Sequence, residues 1–214
     1  TKGSVGLLIM RSYVLAGNTA HYDHVIESLE ARGLEVITAF ASGLDARPAV
    51  QAFFMQDGAV KVDAVVSLTG FSLVGGPAYN DASAAEEMLA ELDVPYIAAQ
   101  AVEFQSLGEW RTSDLGLMPI EATMMVAIPE LDGAIAPMVF GGRGDTTAGH
   151  AVKGGGQDMC PQPDRVDALA ARVAKLVALR RQSRDERRLA IVLFNFPPNA
   201  GNTGTAAHLS VFES

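Results

Sequence analysis

The sequence predicts a doubly wound, mostly parallel α/β sheet of flavodoxin-like or Rossmann-like type, followed by the start of a second α/β unit. Three observations carry this. Short apolar runs alternate with segments of helical periodicity from Val5 to Ala99. Those runs are too continuous for a sheet with one wet face, so both faces must be covered by helices. Beyond a long irregular stretch, a strand-like run, a glycine-rich turn and a helical pattern occur in succession, which is how an α/β unit begins.

The elements follow in order. Residues 5–10 (VGLLIM) read as a buried strand. Residues 19–32 read as a helix whose Tyr22, Val25, Ile26 and Leu29 recur at helical spacing, with Gly33 as its stop. Residues 35–40 form the next strand and 48–55 a short helix with Pro48 in its first turn. Residues 62–68 form the third strand. Ser83 and Glu86 match a capping box that opens a helix running to Leu92, and Pro95 leads into a fourth strand at 96–99. A short helix is expected at 119–128 and a strand at 135–140. The division predicted is an α/β domain at 1–140, a variable loop at 141–164, a connecting helix at 165–188, and the beginning of a following domain at 189–214. A strand so near residue 1 and a terminal helix lacking a cap lead to the expectation of a fragment of a longer chain.

Composition narrows the function. Hydrophobic residues make up 49% and charged residues 19%, enough for a packed core. The net charge of -9 argues against nucleic acid and anionic lipid as partners. Cys160 is the single cysteine, so no intrachain disulfide forms. The most apolar stretch, 115–128, is interrupted by Pro119 and Glu121, so no integral membrane segment is expected.

In such sheets ligands sit beyond the carboxyl ends of the strands, which points to the loops after Met10, Phe40, Leu68 and Ala99. The loop from Thr69 to Pro77 carries adjacent Gly75 and Gly76, which either let backbone approach a ligand or simply make the turn. Residues 199–205 form a glycine-rich turn before a helix, where free N–H groups attract an anion; it is neither a P-loop nor a dinucleotide fingerprint. His21 and His24 lie three apart on one helix without a supporting third ligand. Glu130 and Asp132 flank a turn; if extended, both point the same way, and the plainer alternative is an acidic turn ending a helix. Met118, Met124, Met125 and Met138 read as core gap-fillers rather than a soft ligand pocket. Arg180 to Arg188 supplies a basic helix end that suits the negative helix pole or an acidic partner.

Several segments taken together resemble one family. They are residues 11–16 with His21 and Tyr22; 43–45; 66–78; Glu109 with Trp110; 126–133; and 194–207, FNFPPNAGNTGTAA. In this order they are similar to the large, porphyrin-binding subunits of magnesium chelatase, with the cobaltochelatase large subunits, which act on a corrin precursor, as the related branch. The resemblance implies a much longer, cytoplasmic subunit that binds protoporphyrin IX and Mg2+ as substrates in (bacterio)chlorophyll biosynthesis. ATP would be used by partner subunits, a hydrolysing ring protein and an adaptor. It also suggests site residues. Glu130 ranks first as proton acceptor or Mg2+ ligand, since Mg2+ prefers hard oxygen donors and the ring must lose two protons. Asp132 ranks second and His21 third. Arg143 is a candidate fork for a propionate, Asn202 and Thr203 candidates for a propionate at a helix N-terminus, and Gly75 and Gly76 for backbone approach to the ring. The alternative is a scaffold or docking domain with the pocket elsewhere in the subunit.

Overall fold

The computed structural model describes residues 1–76, 79–145, 158–188 and Ala190. The chain divides into two units, Thr1–Arg181 and Gln182–Ser214. The strand expected at 189–194, the turn at 195–205 with Asn202 and Thr203, and the final helix lie outside the described residues. In the second unit, Arg184–Glu186 forms a single 3-10 turn.

The first unit is built on a six-stranded sheet. Its strands are β1 (Gly3–Leu8), β2 (Leu34–Ala39), β3 (Ala64–Ser67), β4 (Tyr96–Ser106), β5 (Ile135–Arg143) and β6 (Met159–Pro161). The spatial order is β2-β1-β3-β4-β5-β6. The first five strands run parallel, and β6 pairs antiparallel on β5 at the edge. The order reverses between β1 and β3, which makes this the flavodoxin-like form of the predicted class. The helices are α1 (Arg11–Ala16), α2 (Ala20–Glu30), α3 (Arg47–Phe54), α4 (Ala82–Leu92), α5 (Leu107–Thr112), a composite α6, and α7 (Pro163–Arg181).

Period-two alternation divides the core into two layers. Val5, Leu7, Val66, Ile97 and Ala99 pack against Tyr22, Val25 and Leu29 of α2 and Val166, Leu169 and Val173 of α7. Leu8, Val65, Tyr96 and Ala98 pack on the other face against Val50 and Phe54 of α3 and Met88 and Leu92 of α4. Gly6 shows how close that packing is. A Cβ there would lie 2.7 Å from the Phe54 ring, so only glycine lets α3 settle on β1.

Several boundaries differ from the expectation. The capping carboxylate of α4 belongs to Asp81, which accepts the Ala84 N–H at 3.0 Å; Ser83 already lies inside the helix. β4 runs seven residues past Ala99, because each half of the strand is buried against a neighbour and register shifts let it follow β5. Residues 141–143 continue β5, and 159–161 form β6. The helix at 119–128 is composite: Pro119–Glu121, a π-helical stretch Ala122–Ala127, then Ile128–Leu131. Together these are α6. The short helices α1 and α5 carry too few residues for a periodic signal and were not expected. α5 is held by a capping box, with Ser106 and Glu109 bonding reciprocally at 3.2 and 2.7 Å.

Candidate functional site

A cleft of about 360 Å³ opens at the carboxyl ends of β1, β2 and β3, where the strand order reverses. Its walls come from three loops. The β1–α1 connection supplies Met10, Arg11, Ser12 and Leu15; the β2–α3 loop supplies Ser42, Gly43 and Leu44; the loop after β3 supplies Thr69, Phe71, Leu73 and Gly75. The lining is chiefly apolar, with hydroxyls between the apolar groups and one cation.

The walls are stitched to each other before any ligand arrives. The Gly75 N–H donates to the Leu44 carbonyl at 2.7 Å and the Ala46 N–H to the Leu73 carbonyl at 3.0 Å, with Asp45 bridged to Val74. Asp45 in turn accepts from Arg47, whose guanidinium holds that carboxyl below its usual range. Gly75 takes φ +137°, and a Cβ there would strike the Tyr79 carbonyl, so its antiparallel pairing with Asn80 itself demands glycine. Gly76 lets the Leu44 side chain close over the loop: a Cβ would lie 3.0 Å from both Leu44 methyls. Backbone pairing accounts for Gly75 and the Leu44 contact for Gly76, and Gly75 additionally faces the cleft.

Asp132 anchors this wall from behind. It lies 1% exposed at the C-terminal end of α6. Its carboxylate accepts the Leu73 N–H at 2.7 Å and the Ser72 hydroxyl at 3.0 Å. Burial pushes the carboxyl above its ordinary range, although both hydrogen bonds oppose this. Glu130, two residues earlier, is exposed, and its carboxylate has no hydrogen bond or ion pair among the described residues. The segment is helical rather than extended, and residues two apart on a helix face different ways, so the two carboxylates do not converge.

His21 and Arg143 do not line this cleft; each lies near Tyr13. His21 is fully buried. Its ring centroid lies 3.8 Å from Tyr22, 5.3 Å from Tyr13 and 5.8 Å from Phe140. Neither ring nitrogen has a hydrogen-bond partner, and burial lowers the imidazole to about 4. Arg143 ends β5 with a buried, unpartnered Nε. Its charge acts on Tyr13 and on Glu103, whose carboxyl burial pushes upward. Glu121 of α6 is a further buried carboxylate. It accepts from the Phe104 and Met118 N–H groups at 3.2 and 3.0 Å and from the Gln105 amide at 2.5 Å.

Sequence reading missed Arg11, Glu103 and Glu121. Each carried a signal. Arg11 is the first charge after the first strand, where the topology rule looks for ligands, while Glu103 interrupts an apolar run and Glu121 an apolar helix. Among the described residues no group of three or more His, Cys, Asp or Glu side chains could hold a metal ion, and no helix is long and apolar enough to cross a membrane. Arg180 and Arg181 of the basic helix end face Asp93 and Asp63 at 4.0 and 2.9 Å.

Comparison with known proteins places this arrangement. A family profile described as CobN/Magnesium Chelatase matches residues 1–214. The chain is 53% identical to the magnesium-chelatase H subunit of Cereibacter sphaeroides, spanning 100% of this chain and 19% of that protein. It is 45% identical to the chloroplastic magnesium-chelatase ChlH subunit of Oryza sativa subsp. indica, over 98% of this chain and 15% of that one. Identity to the aerobic cobaltochelatase CobN subunit of a Sinorhizobium species is 29%, over 96% of this chain and 16% of that one. Among solved structures, the catalytic subunit of cobaltochelatase from Mycobacterium tuberculosis matches with a TM-score of 0.74 at 24% identity, over 90% of this chain and 16% of that one. That likeness bears out the fold. The chain therefore spans a fifth or less of these relatives' length, and it belongs to the CobN/magnesium chelatase family.

Proposed function

We propose that this chain is part of the porphyrin-binding large subunit of a magnesium chelatase, a ligase that inserts Mg2+ into protoporphyrin IX on the way to (bacterio)chlorophyll. The observation that supports the magnesium branch is the contrast in identity, 53% and 45% to the Cereibacter and rice magnesium-chelatase subunits against 29% to the Sinorhizobium cobaltochelatase subunit. The geometry agrees with a ring-handling role: the cleft is preformed, mostly apolar and placed where this fold binds ligands. No ATP-hydrolysing motif appears in the sequence, consistent with ATP being used by a partner ring subunit working with an adaptor. The complex would act in the cytoplasm.

The chemistry sets three demands. Mg2+ must shed water it holds tightly. The ring must give up two pyrrole protons to a base. Binding must bend a flat macrocycle. Glu130, solvent-facing and without an intrachain partner among the described residues, is the residue proposed to receive a proton or pass the ion, because a free carboxylate is available to either. Asp132 supports the cleft wall and contributes through position. His21, neutral and sealed, would contribute only if the packing around it opened. Arg143, Asn202 and Thr203 remain proposed propionate partners, and Gly75 and Gly76 the points of close backbone approach.

The test uses the full-length protein with its partner subunits. Glu130→Gln is expected to abolish chelation while the protein stays folded and binds porphyrin. Unchanged turnover would remove Glu130 from the mechanism. The second reading, a docking domain with its pocket elsewhere, draws on the basic helix end, but Arg180 and Arg181 already face carboxylates of this chain.

A further inference from the structure

We propose that the cleft at the carboxyl ends of β1–β3 binds the edge of a planar, amphipathic carboxylate, with the Arg11 guanidinium as the anion clamp. The inference deepens the chelatase reading, on which the choice of a tetrapyrrole as the planar molecule rests, by assigning a site and an anchoring residue.

Four features lead to it. The cavity of about 360 Å³ admits a ring-sized group or one edge of a larger flat molecule. Leu15, Leu44, Phe71 and Leu73 give it apolar walls that favour a ring face over a sugar or a free phosphate. Leu15 and Leu44 are 70% and 62% exposed, so the mouth is apolar as well as the interior. Arg11 stands at that mouth, exposed, its guanidinium without a hydrogen bond or ion pair among the described residues. Arg47, which flanks the β2 side, is already spent, held bidentately by Asp45 through Nε to Oδ1 and Nη2 to Oδ2. A cation left unpaired beside an apolar slot matches a ligand that is flat and oily on one side and anionic at its edge.

The polar atoms inside the cleft fit the same ligand. The Ser67 and Thr69 hydroxyls lie 3.0 Å apart, and Thr69 also accepts the Phe71 N–H at 3.3 Å. These hydroxyls satisfy the loop's own backbone and each other, so the interior presents little unsatisfied polarity. The anion-binding capacity is concentrated at the mouth, on Arg11. The orientation follows: ring edge inward against Phe71 and Leu73, carboxylate outward.

The chain is titrated with deuteroporphyrin IX, which carries two propionates, with its dimethyl ester, and with 2-naphthoate, while Soret absorbance or ligand fluorescence is followed. Arg11→Ala and Arg11→Lys are compared with the unsubstituted chain, each first shown to be folded by its thermal transition; the residue is exposed, so folding should be untouched. Deuteroporphyrin is expected to bind with one site. Arg11→Ala should weaken it about ten- to a hundredfold, and Arg11→Lys should restore only part of the loss because the planar fork is gone. The ester should bind the unsubstituted chain and Arg11→Ala equally. Equal affinity of both chains for the acid, or of the acid and ester for the unsubstituted chain, overturns the assignment. Arg11-dependent binding of 2-naphthoate without binding of the porphyrin supports the carboxylate cleft and overturns the tetrapyrrole reading of this region. No binding of any of the three overturns the cleft assignment, while leaving the family reading to the chelation assay of the full-length protein.

Discussion

The two ends of this sheet's carboxyl edge are made from the same parts and do opposite things. At β1–β3 the loops, though two of them are hydrogen-bonded to each other, enclose a preformed apolar cleft with Arg11 at its mouth. At β4–β5 the corresponding space is filled. Tyr13, His21, Tyr22 and Phe140 pack ring against ring, and Glu121 ties two backbone segments together. The topology rule marks the whole carboxyl edge as the place for ligands. Side-chain volume decides which part of that edge stays open.

The largest effect is expected at the filled end. Glu121→Ala removes the acceptor of two part-buried backbone N–H groups and of the buried Gln105 amide at once. Three unsatisfied donors should cost about 3–4 kcal/mol of stability, read as a shift of the urea midpoint. The cleft should keep its ligand affinity in the fraction that stays folded. A loss of affinity there would show that the two ends are coupled.

Asp132→Ala attacks the cleft wall. It strands the Leu73 N–H and leaves the Ser72 hydroxyl only the Val74 carbonyl at 3.2 Å, at an expected cost of about 1–3 kcal/mol. Here porphyrin affinity should fall along with stability, because the loop carrying Phe71 and Leu73 loses its anchor. Glu121→Ala and Asp132→Ala thus separate a change in fold stability from a change in site geometry. If both variants lose stability and neither loses affinity, the cleft is not the site.

His21 sharpens the contrast through pH. Its folded-state value is lowered by burial to about 4, against 6.5 in the unfolded chain. Between those values the unfolded state binds the extra proton, so stability falls as pH drops from 6.5 toward 4. The contribution lost by about pH 5 is about 2 kcal/mol. His21→Phe keeps the ring stack, removes two unpartnered nitrogens and should flatten that part of the acid limb. An unchanged slope between about pH 7 and about pH 5 would mean that the imidazole finds a partner when it charges.

The parallel strands, the helices α2, α3, α4 and α7 and three of the four loops at the sheet's carboxyl edge were legible in the sequence, because buried parallel strands read as continuous apolar runs and α2 and α7 carry long periodic faces. The cleft's anchor and the filled end were not. Arg11 and Glu130 look alike in a sequence, each a charge beside an apolar segment, and only the packing shows which one borders a cavity. Asp132 and Glu130 looked like a pair because their spacing suits a strand; the composite π and α turns of α6 put them on different sides. His21 looked like a base on a helix surface. Its burial depends on Phe140 of β5, far away along the chain, and nothing local announces it.

The smallest expected effect on stability, and the one that isolates chemistry from architecture, is Glu130→Gln. The side chain is exposed and holds nothing in place among the described residues. Its neutralisation should change stability by no more than about 0.5 kcal/mol. It should leave deuteroporphyrin affinity unchanged as well, since Glu130 does not line the cleft. In the full-length protein with its partners, chelation should nevertheless stop. A shift of affinity in the isolated chain would place Glu130 within reach of the ligand, and the cleft would then extend past the wall that Asp132 anchors. Loss of turnover with both stability and affinity intact separates the residue that acts on the ion or the protons from the residues that hold the ring.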